Sequence, residues 1–343
     1  MELRVYLVVI MALLCACSTA VEQPPGQPQA DVRHLVSFYG TDRNVEENDT
    51  ARSYGLRRGA LEYGQTTVSL DEKGHDPTIE NIEPMSRADF LLKLRQAVAA
   101  APSPTAMVFV HGYNRSFNQA SRQLAEFAAE TDFNGVALNW SWPSSRNPAG
   151  YLEDEANMRW SRPHMVQFLR DVIEESGAET VHLVAHSMGA RGLTEAMLQG
   201  LLPGGVNKEK IGEYILLAPD IDSAIFKRDL APQLVAAGLQ PTLYTSTNDK
   251  ALASAYGMRR YARAGDSSKG LVLVAGVDTI DVTYANKSIL GHSYYDKNPS
   301  VVGDLAVLLN NRTSADQRPG LEYIEMGGTG YWRLIVVEDA QSD

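Results

Sequence analysis

The stretch VHLVAHSMGA, Val181 to Ala190, decides how the rest of the chain is read. Its first half is a short run of branched apolar residues, which suits a parallel strand covered on both faces. Its second half breaks the run with His186, Ser187, Met188 and Gly189. Ala185 and Gly189 stand two residues either side of Ser187, and small side chains there are what a sharp strand-to-helix turn with a strained serine at its apex requires. Such a turn predicts a nucleophile at Ser187.

Strand and helix signals alternate outward from this point. HLVSFYG, YGQTTVSL and AMVFVHGYN read as early strands, followed by a helix with Ala120, Leu124, Phe127 and Ala128 on one face. GVALNWSW is a further strand. The segment PSSRNPAGYLEDEANMRW reads as polar and irregular, a rim between Trp142 and Trp160 carrying Glu153, Asp154 and Glu155. SRPHMVQFLRDVIEESG then reads as a helix with Pro163 at an early position and Gly177 as its stop. EYILLAPDID, PTLYTSTND and VDTIDVT supply later strands, and Val301, Leu305 and Leu308 mark a late helix. This rhythm predicts an α/β fold with a mostly parallel central sheet and helices on both faces. The short crossover between EYILLAPD and PTLYTSTND leaves no room for a large lid. MGGTG, Met326 to Gly330, leads into YWRLIVV rather than a helix and is a poor phosphate loop.

Composition narrows the function. The chain has 343 residues, 44% of them hydrophobic and 21% charged, as in a soluble globular protein. A formal net charge of -11 argues against a nucleic-acid partner, which would need a basic patch. The two cysteines, Cys15 and Cys17, both lie at the end of an N-terminal apolar run, so the folded region has no disulfide, thiolate metal site or cysteine nucleophile. No cofactor and no metal is implied. That run, Val5 to Cys17, is too short to span a bilayer but suits a secretion signal. LCAC, Leu14 to Cys17, resembles the lipobox of bacterial lipoproteins, with Cys15 a departure from its usual small residue. The resemblance implies an acylated Cys17, and Ser18 after it resembles lipoproteins sent to the outer membrane, facing the periplasm. Residues 1–17 are then a lipoprotein-type signal, 18–31 a Pro- and Gln-rich tether, and 32–343 a single domain.

A serine hydroxyl attacks only when a base takes its proton and a carboxylate orients that base. Of seven histidines, only His292, in GHSYY, follows a late strand on the C-terminal side, where ligands gather in parallel sheets. Asp249, at the end of TLYTSTND, fits the acid in the chain order Ser, Asp, His. Asp220 and Asp222 in APDID are rivals, and Asp249 could instead cap a helix. The turn HGYN offers the Tyr113 amide beside that of Met188 as an oxyanion hole, with His111, Gly112 and Asn114 in support.

Taken as a set, HGYNRSF, LNWSWPS, AHSMGAR, LLAPDID, STNDKAL and GHSYY resemble a family of bacterial alpha/beta hydrolases of unassigned substrate. The similarity runs from SFYGTDRN to GHSYYDKNPSVVGDL. It implies the alpha/beta-hydrolase fold, Ser187 as nucleophile, His292 as base and a carboxylate after a late strand. Ala185 replaces the first glycine of the general G-x-S-x-G elbow. The expected reaction is hydrolysis of a small-molecule carboxylic ester or thioester through an acyl-enzyme. The competing expectation is a non-catalytic envelope lipoprotein that uses the same fold as a binding surface.

Overall fold

A computed structural model of the chain describes residues 32–47, 52–71, 73–147, 149–252, 261–285 and 298–336. The expected signal, tether and Cys17, and also His292, lie outside these residues. Val32–Asp343 groups as one unit by its internal contacts.

Among the described residues, eleven strands form one sheet in the order β10-β11-β9-β8-β7-β6-β4-β5-β1-β2-β3. Its centre is parallel: β1 (Arg33–Glu47), β5 (Val136–Ser141), β4 (Thr105–Val110), β6 (Thr180–His186), β7 (Ile211–Leu217), β8 (Pro241–Thr245) and β9 (Asp278–Asp281). Antiparallel partners finish each edge. β2 (Arg52–Leu70) and β3 (Thr78–Met85) extend one side, and β10 (Leu321–Met326) and β11 (Thr329–Leu334) form a hairpin on the other. MGGTG is the turn of that hairpin, with Gly327 and Gly328 both at positive φ, which a two-residue hairpin turn demands.

The period of two along each strand sorts the side chains into two cores. Val108, Val110, Leu138, Trp140, Leu183 and Ala185 face one way. They pack against α1 (Arg87–Ala100), α3 (Tyr151–Glu175) and α4 (Met188–Ala196). Met107, Phe109, Val184 and Leu217 face the other way, against α2 (Phe117–Glu130) and α5 (Pro299–Asn311). Every residue of β5 and β8 is buried, as in strands covered on both faces, including the polar Asn139, Ser141, Thr242 and Thr245.

One expectation needs correction. The segment 143–160 is not irregular throughout: α3 begins at Tyr151, and Pro163 sits inside it rather than near its first turn. An interior proline removes one helical hydrogen bond, at a cost of about 3 kcal/mol, and tertiary contacts on both sides offset this. Tyr151, Asp154, Asn157 and Met158 are buried before the proline, and Met165, Phe168, Leu169 and Val172 after it. Asp154 and Asn157 made the stretch look solvated, yet both are buried because their polar atoms hold neighbouring loops. Asn157 Nδ2 donates to the Pro143 carbonyl at 2.9 Å, and its Oδ1 accepts from Arg58 Nε at 2.8 Å.

The strand order fixes where a site can form. From β4 the chain steps to β5 on one side and then returns to place β6 on the other. This reversal opens a crevice at the carboxyl ends of β4 and β6. Val110 and Ala185 are register partners there, so the loop after β4 and the turn after β6 emerge side by side.

Candidate active site

Ser187 follows the last residue of β6 and caps α4 with φ 54° and ψ −121°. An L-residue held there costs of order 1–3 kcal/mol and persists only when its surroundings over-determine it. Here they do. The Ser187 N–H donates to the Leu217 carbonyl at 3.0 Å, and its carbonyl accepts from Ala190 N and Asp220 N, both at 3.1 Å. Small neighbours let the turn close: a Cβ at Gly189 would stand 2.4 Å from the His111 carbonyl oxygen and 2.5 Å from that of Val110. At Gly112 it would meet His186 Nδ1 at 2.8 Å and Ser187 Cβ at 3.1 Å. The loop after β4 therefore lies directly against the serine.

That loop is held by a buried polar network. Asn114, at φ 59°, donates its N–H to Asp154 Oδ2 at 3.2 Å, and Arg115 donates its own to Ser144 Oγ at 3.1 Å. Asp154 also accepts from the Ser144 hydroxyl and, through Oδ1, from Ser145 N at 2.6 Å. Ser116 and Gln119 close the loop with a capping box at the start of α2. Among the described residues the Tyr113 amide has no partner. Met188 opens α4, where a helical N–H has no carbonyl one turn behind it. These are the two amides expected to form an oxyanion hole.

Arg43, fully buried on β1, ties the network to the sheet. Its guanidinium donates to Arg115 O at 2.8 Å, Ser141 Oγ at 2.9 Å and Gly55 O at 3.2 Å. Burial pushes its pKa down to about 9, with Asp42 and Asp154 opposing the shift, so it stays cationic at neutral pH. His111 Nδ1 lies 2.7 Å from the Gly112 carbonyl, which can only accept, so the proton sits on Nδ1 and Nε2 faces Arg43 Nη2 at 3.4 Å. Burial, and then the Arg43 charge, hold His111 well below the usual imidazole range. Its ring stacks on Trp142 at 5.2 Å, and its carbonyl accepts from Trp142 Nε1 at 2.9 Å. His111 is thus a neutral strut. Trp142 is core.

The three candidate acids part company. Asp249 follows β8, is 1% exposed, and accepts from Leu252 N at 2.9 Å through Oδ1, which is the capping contact that the sequence allowed. Asp220 Oδ2 accepts from Arg191 Nη2 at 2.9 Å and from the Tyr151 hydroxyl, while Arg263 Nε lies 3.2 Å from Oδ1. Asp222 Oδ1 accepts from Ala224 N at 2.9 Å and Ile225 N at 3.1 Å, at the start of the helical turns 223–236. The structure thus brings Ser187, Met188, Gly112, Tyr113 and Asn114 together and sets Asp249 at the mouth of β8.

A family model, "Alpha/beta hydrolase of unknown function (DUF900)", matches residues 86–312. The chain belongs to this family. No curated protein matches it. Among solved structures it is similar to a predicted CIB-like hydrolase from Thermoplasma acidophilum, at 12% identity over 82% of this chain and 100% of that one, TM-score 0.40. It is also similar to an esterase from Pyrobaculum calidifontis, at 8% identity over 82% and 86%, TM-score 0.39. A third is naproxen esterase from Bacillus subtilis, at 12% identity over 80% and 91%, TM-score 0.37. Likenesses this distant say nothing about the reaction.

Within this alpha/beta-hydrolase chain, the structural roles of two residues escaped the sequence reading. Arg43 sits in TDRN, inside the stretch of family resemblance, which was its only signal. Asp154 reads with Glu153 and Glu155 as part of an acidic rim, and nothing in the sequence marks it as the buried one. Its neighbour Glu155 lies on the pocket side of α3, where Oε1 accepts from Arg191 Nη1 at 2.7 Å.

Proposed function

We propose that this chain is a serine hydrolase that cleaves carboxylic esters or thioesters through an acyl-enzyme. The observation that carries the reading is the over-determined strained Ser187 at the switch point of the sheet, facing a braced loop with an unpartnered amide. Ser187 Oγ attacks the carbonyl carbon as His292 takes its proton. The oxyanion is met by the Tyr113 and Met188 amides. His292 then protonates the departing alkoxide or thiolate, and water repeats the cycle to release the acid and restore the serine. Asp249 is the favoured orienting acid, because Asp220 already serves two guanidinium groups and a phenol.

The test is labelling with a fluorophosphonate, which phosphonylates an activated serine. One adduct on Ser187, abolished in Ser187→Ala, is expected, with kcat for 4-nitrophenyl acetate falling by about 10⁶ where such a triad acts as a unit. A folded protein that neither labels nor hydrolyses would instead be a non-catalytic binding surface. The N-terminal motif supports a lipid anchor at Cys17, placing the domain in the bacterial envelope, at the outer membrane and facing the periplasm. Firm anchoring takes two acyl chains or a comparable second signal. Mass spectrometry of the mature N-terminus decides this, and a start at any residue other than Cys17 refutes it.

A further inference from the structure

A cavity of about 430 Å³ has Met188, the residue after Ser187, in its wall. Met158, Ile221 and Leu230 give it an apolar lining, and Arg159, Arg191 and Arg263 add three guanidinium groups. Three carboxylates share the lining, and each is engaged. Glu155 binds Arg191, Glu195 Oε2 lies 3.3 Å from Arg162 Nη1, and Asp222 caps two amides.

Of the cations, Arg191 is matched by Glu155 and Asp220, and the other two are not matched in this way. Arg263 is 4% exposed, and its Nε lies near Asp220 Oδ1 without hydrogen-bond geometry. Its Nη2 has no hydrogen-bond partner among the described residues. Asp220 cannot saturate it, since that carboxylate also serves Arg191 and Tyr151. Arg159 is exposed at the same cavity and has no carboxylate partner among the described residues. A buried guanidinium left short of acceptors is unfavourable, and its planar fork matches an oxyanion with two acceptor oxygens.

We propose that this pocket takes a substrate carrying an oxyanion, a carboxylate or a phosphate, on a short apolar stem, with Arg263 gripping the anion and Arg159 receiving it at the mouth. The proposal rests on the reading of Ser187 as the nucleophile next to this cavity. It makes recognition local, because a chain with net charge -11 does not attract anions at long range.

The experiment follows the rate of fluorophosphonate labelling of the full chain in the presence of glutarate, butyl phosphate or neutral pentanamide, with thermal unfolding measured alongside. One of the two anions should slow labelling at concentrations at least about tenfold lower than pentanamide, the effect of one charge-assisted hydrogen bond. Which anion does so separates carboxylate from phosphate. Arg263→Gln should erase the difference, Arg263→Lys should keep part of it, and Arg159→Gln should weaken it. Because Arg263→Gln also removes a partner of Asp220, the exposed Arg159→Gln provides a variant without that structural risk. Equal protection by charged and neutral ligands, with Ser187 labelling normally, overturns the proposal and leaves the hydrolase intact. Absence of labelling, with an Arg263-dependent rise in Tm on adding an anion, overturns the hydrolase and keeps the anion pocket.

Discussion

Replacing Asp154 with asparagine tests the braced loop without touching any group expected to meet substrate. Each carboxylate oxygen faces a backbone N–H, Oδ1 that of Ser145 and Oδ2 that of Asn114. Whichever way the new amide turns, one of those N–H groups meets an NH₂. An unmade buried hydrogen bond costs about 1–3 kcal/mol, and the bonds that survive lose the assistance of a charge. Buried Arg43 also loses a nearby anion. Together these give a loss of about 3–5 kcal/mol, in the range of other buried charge removals. At about 2–4 °C per kcal/mol, the Tm falls by roughly 6–20 °C. Activity should fall too, because Asn114 adjoins Tyr113: a loop displaced by about 1 Å, or one oxyanion donor lost, lowers kcat by about 10²–10³. Thermal unfolding and 4-nitrophenyl acetate hydrolysis at 25 °C measure both, with the exposed neighbour Glu153→Gln as an unaffected control. An unchanged Tm refutes the bonding argument. A lowered Tm with unchanged kcat removes Tyr113 from the oxyanion hole.

Three further outcomes are expected. Asp249→Asn should lower kcat by about 10⁴ if this carboxylate fixes the imidazole tautomer, whereas Asp220→Asn should mainly lower Tm through its two arginines; the reverse ranking in kcat would move the acid to the end of β7. The Asp42 Oδ2 bond to His164 Nδ1, 3.1 Å long, raises the His164 pKa, and burial raises that of Asp42. Both shifts contribute stability below the unfolded values, fully so below the Asp42 one, that is lost as pH rises through the folded values, so urea midpoints from pH 5.5 to 8.5 should fall more steeply for wild type than for His164→Gln, and parallel curves would show that the pair is silent. The cavity of about 430 Å³ is near the small end of ligand pockets, and among the described residues only a short crossover separates β7 from β8. Each methylene left in water forgoes about 0.8 kcal/mol, so kcat/KM for uncharged 4-nitrophenyl esters should peak between acetate and hexanoate; a steady rise through laurate would reveal a long acyl tunnel.

What the sequence made legible follows from how each part is solvated. Strands β4, β5, β6 and β8 are covered on both faces and show through short apolar stretches within them, and Ser187 shows because its neighbours must be small. β3 and β10 are largely exposed at the sheet edges, and neither was read as a strand. Arg43 and Asp154 are hidden for the opposite reason. A charged residue reads as surface unless its partners are known, and theirs lie on distant segments, such as Ser141 and Gly55 for Arg43. The same effect displaced the start of α3, whose buried polar face imitates a solvated loop.

Helix α3 carries two jobs on adjoining turns. Asp154 and Asn157 anchor the loops beside Ser187, and Glu155, Met158 and Arg159 face the cavity. A substitution that reshapes the cavity by re-seating this part of the helix also moves the anchors, so turnover and selectivity are mechanically coupled along it. Ile225, Leu230 and Tyr261 line the same cavity, and among the described residues none of the three bonds to that loop. For an engineer wishing to change which molecules enter while keeping the rate, those three positions are independent dials, and the front of α3 is not.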